Sequence, residues 1–275
     1  MTKKNINEMS FLDHLEDLRW HLIRIVLAVV IVGTLVFIFS RFVFDEIIFA
    51  PLEMNFATYN FLCNAANYIG VEDTTFCAEE MPMIIQNRTM GGQFAADIWT
   101  AILGGFIISF PYVIYQLWKF ISPGLHANER KHSRGFIIIS SLLFFIGVLF
   151  GYYIVTPLSL NFLANYSIST IVDNQIDISS YIALVRNSAL AAGLIFELPI
   201  IIYFFTKIGL VTPEILRKYR KYALVVVLIL SAIITPPDVV SQVIVAIPIL
   251  ILYQVSIYIS KVVVRNQKRK EKQHV

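Results

Sequence analysis

Charge is scarce in this chain of 275 residues. Asp, Glu, Lys and Arg together make up 15% of the sequence, whereas 57% of the residues are hydrophobic and the mean hydropathy is +0.70. A soluble domain averages about 25% charged residues, so this chain has too few charges to cover a water-facing surface. The net charge of +3 is also too small for nucleic-acid binding through bulk charge. These deficits exclude an ordinary soluble enzyme, a disordered chain and a nucleic-acid binder.

Enzyme and metal motifs are missing as well. The sequence contains no Walker-type glycine loop, no H-E-x-x-H and no G-x-S-x-G. The cysteines, Cys63 and Cys77, form a C-x13-C pattern that matches no metal site. We therefore predict a protein that is not an enzyme and that requires no cofactor and no metal.

The apolar residues form long unbroken blocks, which predict an all-α polytopic membrane protein in a single integral domain. Because a bilayer core of about 30 Å needs about 20 helical residues, we predict six spans. They are residues 22–42, 98–117, 135–158, 181–205, 222–234 and 239–259. The fifth is short, so helices five and six form either a short membrane hairpin or a re-entrant loop. The polar stretch before the first span indicates that this span is retained and is not a cleaved signal peptide.

The cations predict the orientation. All but three of the 22 Lys and Arg residues lie before or at the start of the first span, between spans two and three, between spans four and five, or in a basic tail at 261–275. By the positive-inside rule, both termini are cytoplasmic. The long loop at 43–97 then lies outside and contains Cys63 and Cys77. In an oxidising compartment these thiols would form a disulfide, and the alternative is two separate buried thiols.

Several acids stand out against this cationic side. Asp17 lies in the acidic segment before the first span, where a simple interfacial helix would be basic. Glu129 is the one acid among the cations of the loop at 115–134, which also contains Trp118 and Phe120. A binding site for a cationic ligand explains both acids; the alternatives are an interfacial helix and a local ion pair.

Polar residues also interrupt the later spans. Glu197 lies well inside the fourth span, where an ionisable group usually faces the protein interior or a wet cavity. Pro199 favours a kink beside it. Pro236 and Pro237 end the fifth span, and Asp238 is placed to cap the sixth. Thr235 and Gln242 add polar groups to this turn.

Five motifs together resemble the TatC family, the multi-spanning subunit of the twin-arginine (Sec-independent) protein translocase. They are residues 14–19 (HLEDLR), 115–125 (YQLWKFISPGL), 128–130 (NER), 196–199 (FELP) and 235–242 (TPPDVVSQ). The chain departs from the usual family pattern at Asp17, where Glu is common, and at His21, where Arg is common.

The resemblance implies a concave, glove-like arrangement of the six helices in a bacterial cytoplasmic (inner) membrane. It implies recognition of the twin-arginine signal peptides of folded cargo, with export driven by the proton-motive force. Asp17, Arg19, Phe120 and Glu129 would bind the signal peptide. Glu197, Thr235 and Gln242 would dock single-span TatA or TatB-like subunits, and the chain would also associate with itself. The alternative function is a proton-coupled secondary transporter of a small solute, with Glu197 as its coupling residue.

Overall fold

The computed structural model describes residues 11–53, 55–69, 77, 83–121, 133–169, 174–235 and 238–271, and nearly all of them are helical. The main helices are α1 (Phe11–Ile38), α2 (Ala57–Ile69), α3 (Gly92–Ile121), α4 (Ser133–Phe150), α5 (Thr156–Asn165), α6 (Ile178–Phe196), α7 (Leu198–Lys207), α8 (Pro213–Lys218), α9 (Arg220–Ile234) and α10 (Val239–Glu271). Shorter helical pieces occupy Ser40–Phe42, Val43–Ile48, Ala50–Leu52 and Gly151–Val155, and the strands are β1 (Ile84–Gln86) and β2 (Gln175–Asp177). This arrangement confirms the predicted all-α polytopic class.

Within the described ranges, five helical stretches are long and apolar enough to cross a bilayer. They are Leu15–Ile38, Gly92–Ile121, Gly135–Asn165, Ile178–Lys207 and Ser241–Arg269. The remaining predicted span corresponds to α9, whose 15 residues extend about 22 Å. The sixth predicted span, 239–259, is the first part of α10, which continues to 33 residues. The helix continues past the last apolar residues into the predicted basic tail, since Lys, Arg, Gln and Glu are good helix formers.

Small residues allow the first two spans to pack closely. A Cβ atom on Gly105 of α3 would lie 2.7 Å from the Cα of Gly33 of α1. The third and fourth spans are equally close. A Cβ atom on Gly147 of α4 would lie 2.7 Å from the carbonyl oxygen of Ala192 in α6. Side chains would keep these backbones apart, so glycine at these positions sets the helix spacing.

The short fifth helix packs against its successor as a hairpin. Gln242 Nε2 donates to the Leu228 carbonyl at 3.0 Å and ties the start of α10 to the middle of α9. Val227, Val245 and Ile249 form a buried apolar cluster with Val155, the last residue of the π-helix that follows α4. The hairpin is thereby fixed to the third span.

The loop at 43–97 and the connection between the third and fourth spans come together at one end of the bundle. Strand β1 pairs in parallel with β2, with Ile85 opposite Ile176. Tyr59 of α2 is fully buried, and its hydroxyl lies 3.2 Å from the Pro51 carbonyl oxygen and 3.3 Å from that of Pro157. The two loops therefore form one cap over the helix ends.

Candidate functional site

A polar cluster joins α1 and α3 at the end of the bundle predicted to face the cytoplasm. His21 and Gln116 are both buried, and His21 Nδ1 lies 2.7 Å from Gln116 Oε1. Because an amide oxygen only accepts hydrogen bonds, Nδ1 carries the proton in this contact. Gln116 Nε2 in turn donates to the Tyr112 hydroxyl at 2.6 Å. The His21 ring meets the ring of Phe120 edge-on, with centroids 6.1 Å apart. We call these four residues the inner cluster.

The two signal-binding candidates on α1 lie on different faces of the helix. Asp17 is half-buried and stands four residues before His21, so it shares the face that carries the inner cluster. Arg19 is exposed and lies two residues from each, so it projects elsewhere. Asp17 thus lies on the face of α1 that carries His21, and Arg19 lies on another face.

Glu129 lies outside the described residues, in the segment 122–132 between α3 and α4. Phe120, the candidate that precedes this segment, is half-buried in the last turn of α3. In sequence, the segment that contains Glu129 follows Phe120 after one residue.

Glu197 occupies a break in the fourth span. Helix α6 ends at Phe196 and α7 begins at Leu198, with Pro199 in its first turn, where the missing N–H costs no helical hydrogen bond. Glu197 is 6% exposed, and Ser140 Oγ of α4 donates to its Oε2 at 2.7 Å. Its Oε1 is buried and accepts no hydrogen bond from the described part of the chain. Ser140 therefore holds one carboxylate oxygen in place, and the other oxygen can still accept hydrogen bonds.

The polar residues between α9 and α10 stabilise the turn. The Thr235 hydroxyl donates to the Ser231 carbonyl at 2.9 Å, and Thr235 is buried. Asp238 caps α10, since its Oδ2 accepts from the Ser241 N–H at 2.7 Å. Pro236 and Pro237 lie outside the described residues. The turn places Thr235 and Gln242 on either side of one short connection.

The cap on the opposite end contains the two cysteines. Cys63 and Cys77 form a disulfide with their Cα atoms 5.2 Å apart. Within the described ranges, no group of three or more His, Cys, Asp or Glu side chains is placed to hold a metal ion.

Sequence reasoning did not assign a role to three of the residues in these sites. Gln116 belongs to a motif that it recognised, but the contact of Gln116 with His21 spans 95 positions. Ser140 contacts Glu197 across 57 positions, and Tyr112 completes the inner cluster. The sequence offered one indication of these contacts. Gln116, Ser140 and Ser141 interrupt apolar helices, and polar side chains in such helices need hydrogen-bond partners.

Comparisons with known proteins agree with this geometry. The family model for the Sec-independent protein translocase protein TatC matches residues 13–248. The TatC protein of Blattabacterium sp. subsp. Periplaneta americana is 44% identical over 258 residues, which cover 94% of this chain and 97% of that protein. TatCy of Bacillus subtilis is 34% identical over 269 residues, which cover 98% of this chain and 95% of that protein.

Solved structures agree as well. Two crystal structures of the twin-arginine translocase receptor TatC align with TM-scores of 0.66 and 0.69, at 31% and 33% identity. They cover 91% and 90% of this chain, and each is covered to 99% of its own length. The similarities support the translocase hypothesis and give no support to the small-solute transporter. The chain therefore belongs to the TatC family of Sec-independent protein translocase subunits.

Proposed function

We propose that this chain is the receptor subunit of a twin-arginine translocase and that the inner cluster positions its signal-peptide site. The observation that carries the proposal is the contact of His21 with Phe120 and Gln116, at the point where two family motifs meet. This contact supports an arrangement in which the face of α1 that carries Asp17 packs against the end of α3, which precedes the Glu129 segment in sequence. We infer that Asp17, Phe120 and Glu129 act together on one side of the membrane.

The chemistry of this surface suits a pair of arginines. A guanidinium group presents a planar fork of N–H donors, which a carboxylate accepts in bidentate geometry. Asp17 and Glu129 supply two such carboxylates among loops that are otherwise cationic. Phe120 offers a ring face for stacking on a guanidinium plane or for contact with the apolar part of the signal. Arg19 contributes from the neighbouring face, where it would bind an acidic group or order the signal backbone.

We assign partner docking to the polar groups inside the membrane. The remaining acceptor of Glu197 Oε1 can receive a hydrogen bond from a polar side chain on a single-span TatA or TatB-like helix. Thr235 and Gln242 mark a second contact on the short hairpin, where Gln242 still carries an amide oxygen after its donor bonds Leu228. Self-association completes the assembly.

The cation distribution supports a position in the bacterial cytoplasmic membrane with both termini in the cytoplasm. The role is then binding and assembly rather than catalysis, with the proton-motive force driving export. The short α9 and the polar Glu197 would thin and hydrate the bilayer locally, so that folded cargo could cross without a permanent pore.

The proposal is tested with a photoreactive twin-arginine signal peptide and membranes that contain the full chain. We expect Glu129→Ala and Phe120→Ala each to reduce crosslinking, by about tenfold for the carboxylate, because a charge-assisted hydrogen bond contributes about 1.5–3 kcal/mol. Leu117→Ala is the matched control, since this exposed side chain lies in the same turn and outside the inner cluster.

A peptide with two lysines in place of the arginines provides the second control. Lysine is a point charge and cannot form the bidentate pair, so it should crosslink poorly. Equal crosslinking of the two peptides would contradict the receptor proposal. Full crosslinking in both the Glu129 and the Phe120 variants would leave the receptor function standing and refute the site.

A further inference from the structure

A cavity of about 450 Å³ lies at the end of the bundle opposite the inner cluster. It forms where the π-helix Val43–Ile48, which continues the first span, meets the first turns of α3 and α6. Two isoleucines of α6 form one wall, and the other lining residues are Phe44, Phe49, Gln93, Phe94 and Asp97. The proposed signal-peptide site and the Glu197 site lie elsewhere, so the proposed function does not use this cavity.

Asp97 is the charged residue of the cavity. It is half-buried in the second turn of α3, within a stretch long and apolar enough to cross the membrane. The Ser40 hydroxyl lies against its carboxylate, and no cation of the described chain contributes to its environment. Acids at such positions are costly and usually face a cation or a wet cavity. Among the described residues this carboxylate has a hydroxyl partner and no cation, so an ammonium group from another molecule would complete its environment.

Aromatic rings form the rest of the binding surface. The rings of Phe44 and Phe49 lie 6.0 Å apart, and Phe49 stacks on Tyr181 at 5.8 Å. Tyr181 is buried and donates to the Ile48 carbonyl at 2.6 Å, which fixes the end of the π-helix. Phenyl faces carry negative potential and attract cations, most strongly ammonium groups that have lost part of their water shell. A carboxylate surrounded by phenyl rings is thus complementary to an ammonium group.

We propose that this cavity binds the ammonium headgroup of an aminophospholipid in the membrane leaflet on the side of the loop 43–97. Phe94 lines the cavity and is 65% exposed in the first turn of a membrane-crossing stretch, so the mouth opens at the depth of the lipid headgroups. Gln93, also exposed, adds an amide at the same mouth to hydrogen-bond the ammonium or the phosphate. A lysine of a partner protein would meet the same chemistry, but the mouth faces the bilayer interface.

The test uses the full chain, purified from nanodiscs of equal parts phosphatidylethanolamine and phosphatidylglycerol, with retained lipid counted by native mass spectrometry. We expect the wild-type protein to retain phosphatidylethanolamine preferentially and Asp97→Asn to lower that preference about tenfold or more, as loss of a charged hydrogen-bond acceptor predicts. Phe44→Leu keeps the wall apolar and removes a ring, so it should lower the preference several-fold. Asp45→Asn and Glu46→Gln, at exposed acids of the same π-helix, should change nothing.

Four outcomes would overturn the proposal. Equal retention of both lipids by the wild type would reject a lipid ligand and leave the cavity to a basic side chain of a partner. An equal loss of preference in the Asp45 and Glu46 variants would show that the lipid preference depends only on the total negative charge near the membrane. A loss of thermal stability in Asp97→Asn that is the same with and without phosphatidylethanolamine would assign Asp97 a purely structural role. The fourth outcome concerns free ethanolamine. If free ethanolamine raised the thermal stability of the wild type as phosphatidylethanolamine does, the ammonium group would bind without its lipid.

Discussion

Ser140 donates a 2.7 Å hydrogen bond to Glu197 Oε2, while Glu197 Oε1 stays buried with no donor from the described residues. The two oxygens of this carboxylate are therefore in different environments. A buried polar atom without a partner costs free energy, which a donor from another helix would recover. Glu197 therefore has one oxygen fixed by Ser140 and a second whose acceptor capacity the described residues leave unused.

Glu197→Ala should leave signal-peptide crosslinking nearly unchanged and lower the recovery of single-span partners, or export, about tenfold. The reason is that the variant removes the acceptor and leaves the inner cluster untouched. Co-purification from membranes measures the first effect and an export assay the second. Ser141→Ala is the matched control, because Ser141 is also buried and has no hydrogen-bond partner in the described chain. Normal assembly and export in the Glu197 variant would contradict the docking role.

His21→Phe should destabilise the protein by about 1–3 kcal/mol. The ring contact with Phe120 persists, but Gln116 Oε1 loses its donor in a buried place. Adding Gln116→Leu should recover part of that loss, because removing both partners of a buried hydrogen bond costs less than removing one. Thermal unfolding in detergent measures both variants. Trp20→Phe, at an exposed neighbouring position, should have little effect, and equal losses in the Trp20 and His21 variants would refute the role of the hydrogen bond.

Gly105→Ala should destabilise the packing of the first two spans by about 1–3 kcal/mol, since the added methyl group would clash with the backbone of Gly33. Gly104→Ala is the matched control on the adjacent residue. Its Cβ atom would meet the side chain of Val36 at 3.2 Å, and a side chain can move where a backbone cannot. Unfolding midpoints compare the two variants, and equal effects would show that backbone proximity is unimportant here.

The disulfide between Cys63 and Cys77 should stabilise the cap by about 3 kcal/mol, the chain-entropy value for a closed loop of about 15 residues. Reduction should lower the unfolding midpoint and change electrophoretic mobility. The double variant Cys63→Ser with Cys77→Ser should be insensitive to reductant. The disulfide would be contradicted if reductant changed neither the unfolding midpoint nor the electrophoretic mobility of the wild-type protein.

Asp177 should make the cap sensitive to acid. The backbone N–H of Ser179, and after it that of Arg88, hold the pKa of the Asp177 carboxyl below its ordinary value. Because the folded state has the lower pKa, the ionised carboxylate stabilises the cap above the ordinary pKa of about 4. That stability disappears as the pH falls through the lower folded value. Unfolding midpoints of wild type and Asp177→Asn should therefore differ at neutral pH and converge in strong acid; a constant difference would refute the linkage.

Much of the fold could be predicted from the sequence because the relevant signals are local. Hydrophobic length placed the long helices, and the proline pair after Thr235 predicted the end of a short α9. Helix α10 was the exception, since its apolar stretch ends near residue 259 but its polar continuation also favours helix. The length of an apolar stretch indicates how much of a helix lies in the membrane. It does not show where the helix ends, because polar residues can continue it.

The sequence by itself determined the membrane class, the orientation expected from the cations, and the few acids that break the charge pattern. Each of these depends on which residues are present and in what order. Only the tertiary structure decided that His21 meets Gln116, that Ser140 holds one oxygen of Glu197, and that Asp97 lines a cavity with Phe44 and Phe49. Such contacts join side chains far apart in the chain, and their geometry depends on helix spacing, which close-packed residues such as Gly33 and Gly105 set.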